Sequence, residues 1–183
     1  MKRALFLTFT GFKDHELVYP YYRVLGAGFQ AHIVADKKDE KNRVYGVHGV
    51  NMPVHALFSE FSSKLDWYWD NFDLLIIPGG VDNTEYLRMV PSVQQFVRKW
   101  DMAGRVWSII CHAPQVAISA GVARGRRMSG FYCIQDDIIN AGAEYSTDKV
   151  VVDRNLISSP HYDDMGPWME TTLDVYRKLN DKS

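Results

Sequence analysis

The sequence predicts an α/β fold, a mostly parallel sheet covered by helices on both faces. Three observations predict it. Leu74-Leu75-Ile76-Ile77 and Val106 to Ile110 are short, uniformly apolar runs, as expected of strands buried on both faces. Segments with apolar residues at helical spacing alternate with these runs. The chain has 183 residues, 46% of them hydrophobic and 23% charged, which suits one domain (1–183) with its own core and excludes a disordered or collagen-like chain.

Taken in order, Arg3 to Phe9 reads as a first strand. Asp14 to Gly28 reads as a helix carrying Leu17, Tyr21, Val24 and Leu25 on its apolar positions, with Pro20 inside it and Gly26 and Gly28 as stops. Ala31 to Ala35 is a second strand, and the segment from Asp36 to Phe61 is expected to be loops with short strands. After the strand Leu74 to Ile77 and the turn Pro78-Gly79-Gly80, Pro91 opens a helix with Val93, Phe96, Val97 and Trp100 on one stripe, ended by Gly104. Val106 to Ile110 follows, then a helix with Ala113, Val116, Ala117 and Ala120 on one face, stopped at Gly121. The remainder reads as a short strand near Met128, a helix over Ile134 to Ala141, and paired strands around Val150 to Ile157. A final amphipathic helix carries Met165, Trp168, Met169, Leu173 and Tyr176. There is no internal repeat or low-complexity tract.

Lys plus Arg is 21 and Asp plus Glu is 22, a formal net charge of −1, so no general electrostatic attraction to nucleic acid or anionic membrane is expected. The apolar runs are too short to span a bilayer. The Met1-Lys2-Arg3 start resembles a signal peptide only superficially, because its apolar part is short and lacks a small-residue cleavage site. Cys111 and Cys133 show no CxxC or Cys/His zinc spacing, so the expectation is free thiols in a reducing, cytoplasmic compartment and no metal. No motif implies an organic cofactor. Arg124, Arg126 and Arg127 are expected to form a solvated basic turn.

In such sheets the functional site lies at the carboxyl ends of the strands. Three strand ends qualify: Thr10-Gly11-Phe12, Pro78-Gly79-Gly80 and Ile110-Cys111-His112. A free cysteine is commonly a small buried hydrophobe. Cys111, however, sits where an apolar strand meets a helix, followed by His112, the small Ala113 and Pro114. A tight turn there would project the thiol above the sheet, as a nucleophile elbow does. A helix N-terminus would also favour the thiolate, placing its pKa well below the usual value of about 8.5. Cys133 has no such neighbours, and the bland reading holds for it. Pro78-Gly79-Gly80 can supply a close backbone N–H, as an oxyanion hole requires, or merely end a strand. A lone Glu16 is by default a solvated carboxylate.

Taken together, several segments resemble the ThiJ/PfpI family, within the class I glutamine-amidotransferase-like superfamily, and its PfpI branch in particular. They are Gly11 to Arg23 with its glutamate and proline, Gly46-Val47-His48-Gly49, Asp73 to Gly80, Asn83 to Arg88, Ile109 to Gln115, and Asp136 to Ala143. The resemblance implies a flavodoxin-like three-layer sandwich with Cys111 as nucleophile and Glu16 as a buried acid hydrogen-bonded to the thiol. It further implies an oxyanion hole from the N–H groups of Gly80 and His112. In the PfpI branch, His112 would join a triad completed by Glu85 from a neighbouring subunit, in a dimer or hexamer. Tyr68, Trp69 and Tyr86 are expected to supply apolar contact for such an assembly. Phe131 and His161 depart from the family pattern and are expected to border the pocket; His55 stands where an aspartate is common.

The resemblance therefore implies a cysteine-dependent enzyme of the glyoxalase III or deglycase kind, acting on small reactive carbonyl compounds through a Cys111 hemithioacetal. The same parts serve a peptidase or amidohydrolase acting on peptides through a thioester. They also serve a redox-sensing or chaperone-like stress protein in which Cys111 is oxidised rather than turned over.

Overall fold

The computed structural model describes residues 1–180. Its elements run β1 (Arg3–Leu7), α1 (Asp14–Gly26), β2 (Gln30–Ala35), β3 (Arg43–Tyr45), β4 (Asn51–Pro53), β5 (Ala56–Leu57), α2 (Phe58–Ser63) and α3 (Leu65–Asn71). There follow β6 (Leu74–Ile77), α4 (Val81–Leu87), α5 (Pro91–Met102), β7 (Trp107–Ile110) and α6 (Pro114–Ser119). The chain continues through β8 (Arg127–Met128), α7 (Gln135–Asn140), β9 (Glu144–Tyr145), β10 (Val151–Asp153), β11 (Leu156–Ser159) and α8 (Met165–Asn180).

Seven strands form the central sheet in the order β10-β11-β7-β6-β1-β2-β5. Only the β10–β11 pair is antiparallel. β1, β6 and β7 are almost wholly buried, which accounts for their continuous rather than alternating hydrophobicity. Two apolar clusters cover the faces. One packs α5 and α6 through Val93, Phe96, Val97, Trp100, Val116 and Ala117. The other packs α1 and α8 through Leu17, Val24, Trp168, Met169 and Leu173. The chain leaves β1 toward β2 on one side, whereas β6 lies on the other. The crevice between the carboxyl ends of β1 and β6 is thus a topological switch point. Among the described residues, no helix is long and apolar enough to cross a membrane.

Three expectations are corrected. The segment read as loops with short strands runs into α2 at its end, and α3 follows; together they bury Phe58, Phe61 and Tyr68. Tyr68 is 1% exposed, stacked on Phe72 and tilted against Phe61, so it belongs to the core and offers no surface contact. Trp69 is half-buried beneath Lys99 and Arg105, whereas Tyr86 is exposed as expected. Arg126 is not solvated. It is buried, pairs with Asp101, and donates to Asn155 Oδ1 (2.9 Å) and the Asp153 carbonyl (2.8 Å).

Candidate active site

Cys111 follows the last residue of β7 with a φ of 61°, a left-handed conformation rarely adopted by a residue with a side chain. Surrounding hydrogen bonds fix that conformation. The Cys111 N–H donates to the Ser159 carbonyl at the end of β11 (2.9 Å), and the Cys111 carbonyl accepts from the Phe131 N–H (2.8 Å). The strained elbow is thereby held between two neighbouring segments.

The turn after β6 is fastened to the turn after β1 through Asn83. Its Nδ2 donates to the carbonyls of Pro78 (2.8 Å) and Gly79 (3.0 Å), and its Oδ1 accepts from Thr8 Oγ1 (3.1 Å). Gly79 has no room for a side chain: a Cβ would lie 2.6 Å from that of Cys111 and 2.9 Å from the Ile110 carbonyl oxygen. Gly80 has a φ of 106°, and a Cβ there would meet the Lys13 nitrogen at 2.7 Å. These two glycines let the backbone close on the thiol.

Glu16, near the start of α1, is 0% exposed, so the solvated-carboxylate default does not hold. Its Oε2 accepts from the Gly79 N–H (2.9 Å). Its Oε1 has no partner of standard hydrogen-bond geometry, which leaves interaction with the Cys111 thiol as its coupling to the site. Burial raises the Glu16 pKa to about 7, against weaker lowering by Cys111, the Gly79 N–H and the Lys13 charge. The Cys111 thiol is also pushed up, by burial first and by the Glu16 charge second; the N–H groups of Gly80 and His112 oppose this. The expected depressed cysteine pKa is thus corrected. The following helix α6 has six residues, its first is a proline without an N–H, and the sulfur lies in a nearly closed site. A charge on Glu16 therefore opposes a second charge on Cys111.

His112 is 8% exposed, and burial lowers its pKa while the Glu85 charge acts in the opposite direction. Its Nδ1 lies 3.1 Å from Cys111 Sγ. Phe131 stacks on its ring, with centroids 5.1 Å apart, and on His161 at 5.9 Å. Glu85 itself is half exposed and lies 3.6 Å from Arg88.

A cavity of about 450 Å³ opens over the thiol. Glu16, Gly80, Cys111, His112, Phe131 and His161 all line it, as do Lys13, Val47, Val81, Asp82 and Tyr162. The five residues in the second group were not singled out individually from sequence; Lys13 and Val47 fall within the segments that carry the family resemblance. Cys133 departs from the bland reading. It is exposed, and its Sγ lies 3.2 Å from His112 Nε2. A cavity of similar size at the amino ends of β1 and β2 holds His32 and His55 but no nucleophile. His55 Nδ1 there accepts the Ile33 N–H (3.0 Å), well away from Cys111. Among the described residues, no group of three His, Cys, Asp or Glu is placed to hold a metal ion.

The sequence profile described as the DJ-1/PfpI family matches residues 2–174. The chain is 38% identical over 175 residues to "Deglycase PfpI" of Pyrococcus furiosus, covering 96% of this chain and 99% of that one. It is 28% identical over 176 residues to "Putative cysteine protease YraA" of Bacillus subtilis, covering 96% and 99%. The solved structure of Schizosaccharomyces pombe DJ-1 superposes with a TM-score of 0.82 at 21% identity, covering 97% of this chain and 98% of that one. This last likeness concerns the fold.

Proposed function

The chain belongs to the DJ-1/PfpI family, and from that premise we propose that it is a cysteine-dependent deglycase-type enzyme acting on small reactive carbonyl compounds. The observation that carries the proposal is the convergence of Glu16, Cys111, His112 and two backbone N–H donors on one 450 Å³ cavity at the sheet's switch point. The 38% identity to a relative named a deglycase supports the same reading.

The chemistry follows from where the proton sits. Attack requires the negative charge on Cys111 Sγ with the proton held by Glu16, and the Gly80 and His112 N–H groups favour the sulfur anion. The thiolate adds to an aldehyde carbon, forming the C–S bond of a hemithioacetal, and the carbonyl oxygen takes up a proton. For a dicarbonyl such as methylglyoxal, the hydrogen on that carbon then leaves as a proton and is returned to the neighbouring carbon, while the hydroxyl proton passes to the neighbouring oxygen. One carbon is oxidised as the other is reduced, and a thioester results. Water cleaves the thioester, releasing a hydroxy acid and restoring the thiol. Glu16 and His112 move the protons. A cavity lined by Phe131, Val47 and Val81, with Lys13 and His161 at hand, suits a small, partly polar carbonyl compound.

Incubation with methylglyoxal and glyoxal tests this reading. Lactate or glycolate should accumulate with the native protein, and Cys111→Ser should form essentially none. The similarity to a putative cysteine protease favours peptide hydrolysis as the second reading. Cysteine-dependent release from a fluorogenic peptide without hydroxy-acid formation would replace the first reading with the second.

A further inference from the structure

Lys13 is half-buried and lines the cavity over the thiol. Its backbone N–H donates to the Gly79 carbonyl (3.1 Å), which fixes it beside the glycine turn. The loop Gly46 to Val50 is tied to the same segment. The Val47 N–H donates to the Phe12 carbonyl (3.0 Å), and buried Asp14 accepts from the N–H groups of His48 and Val50, each at 3.0 Å. His48 is thereby set against Lys13, with Nζ 3.2 Å from His48 Nε2 and 5.1 Å from the centre of the Tyr162 ring. An ammonium only donates, so His48 Nε2 is the acceptor. A bare imidazole nitrogen and a ring face hold this cation without neutralising it. Among the described residues Lys13 forms no ion pair. Asp82 lines the same cavity but is exposed, so water screens its charge. Among the lining residues Lys13 is the only Lys or Arg. The cavity, about 450 Å³, is also of a size that encloses ligands well larger than methylglyoxal. The site thus has room beyond the reacting carbons and a positive charge without a counter-ion.

We propose that Lys13, presented by His48, is a specificity-determining residue that selects α-oxoaldehydes carrying a carboxylate on their tail. The assignment rests on the deglycase-type reading and names its substrate class. The tail carboxylate supplies the counter-ion that Lys13 lacks and takes no part in the bond changes at Cys111. Those changes are the ones given for methylglyoxal: the aldehyde carbon is oxidised, its neighbour is reduced, and water releases the hydroxy acid. γ,δ-Dioxovalerate, a methylglyoxal with an acidic tail, thereby becomes α-hydroxyglutarate. A single ammonium matches the single charge of a carboxylate better than the double charge of a phosphate ester.

The test compares γ,δ-dioxovalerate with its methyl ester, which keeps the carbon skeleton and loses the charge. For the native protein kcat/KM should be about tenfold higher for the acid, the scale of one charge-assisted hydrogen bond. Lys13→Met should bring the ratio of the two substrates close to one, and Lys13→Arg should keep most of the preference. The ratio is the readout because any effect of the substitution on Glu16 or on folding acts on both substrates alike. Lys13→Gln serves in its place if Lys13→Met does not fold. Equal kcat/KM for acid and ester in the native protein would overturn the proposal, as would a preference that survives Lys13→Met; hydroxy-acid formation would still support the deglycase reading. A second measurement needs no turnover. Levulinate, which has the same acidic tail and no aldehyde, should protect native Cys111 from alkylation at about tenfold lower concentration than its methyl ester, and Lys13→Met should remove that advantage. If levulinate protects in this way while no α-oxoaldehyde is turned over, the deglycase reading fails and the carboxylate subsite stands. If levulinate protects no better than its ester, the subsite is overturned.

Discussion

At the scale of single residues, Glu16 carries a stability cost that can be measured apart from catalysis. Its carboxyl ionises near 4.5 in an ordinary setting and at about 7 when buried. Above pH 4.5 the unfolded chain releases this proton while the folded chain retains it, so stability falls as pH rises until about pH 7 and is level beyond. The full difference is roughly 3 kcal/mol by linkage. In a Cys111→Ala background the carboxyl titrates without its sulfur partner. That variant should lose stability from pH 5 to pH 8, by urea unfolding, relative to the Cys111→Ala, Glu16→Gln double variant. Parallel pH profiles for the two would mean that Glu16 ionises freely in the folded state. Neighbouring residues also explain what the sequence conceals. Cys111 is legible because strand, cysteine, histidine and proline are contiguous. Cys133 is not, because its partner His112 lies 21 residues away and only the fold brings the two together.

At the scale of elements, the strands β1, β2, β6 and β7 and the helices α1, α5 and α8 are readable because burial imposes a plain pattern on each. α2 and α3 are not. They have six and seven residues, too short for a helical period to repeat, and their aromatic residues suit strands as well as helices. Arg126 misleads for a different reason, since a cluster of three arginines usually marks solvent. Here its guanidinium joins the C-terminal end of α5, through Asp101, to the β10–β11 hairpin, through Asp153 and Asn155. Asp101 also accepts from Trp107 Nε1 at the start of β7 (2.9 Å), so the network anchors the far end of the strand that bears the nucleophile. Removing one partner of a buried ion pair leaves the other charge unpaired. Arg126→Ala should therefore cost about 3–5 kcal/mol in chemical denaturation. A loss below about 1 kcal/mol would mean that solvent replaces the guanidinium there.

At the scale of the molecule, the cavity opens beside α4, where Val81 (55% exposed) and Tyr86 (54%) flank Glu85, with Met89 (62%) just beyond. Apolar groups around a carboxylate at the mouth of a site are suited to cover by a second copy of the chain. We expect a homo-oligomer, a dimer or hexamer, with Tyr86 in the contact and the buried Tyr68 outside it. Sedimentation at micromolar concentration should show no monomer. Glu85 supplies the finer test, because its negative charge favours protonation of His112. Glu85→Gln should then shift the His112 limb of the pH–rate profile to lower pH. Where that carboxylate remains open to water, 1 M salt shrinks the Debye length to about 3 Å and abolishes the difference between the variant and the native enzyme. Enclosed between subunits, it is screened far less. The expected outcome is a shift that persists in 1 M salt, together with an intact oligomer. A monomer whose pH–rate profile no longer depends on Glu85 in 1 M salt would confine Glu85 to a solvated helix surface and leave His112 without a carboxylate partner.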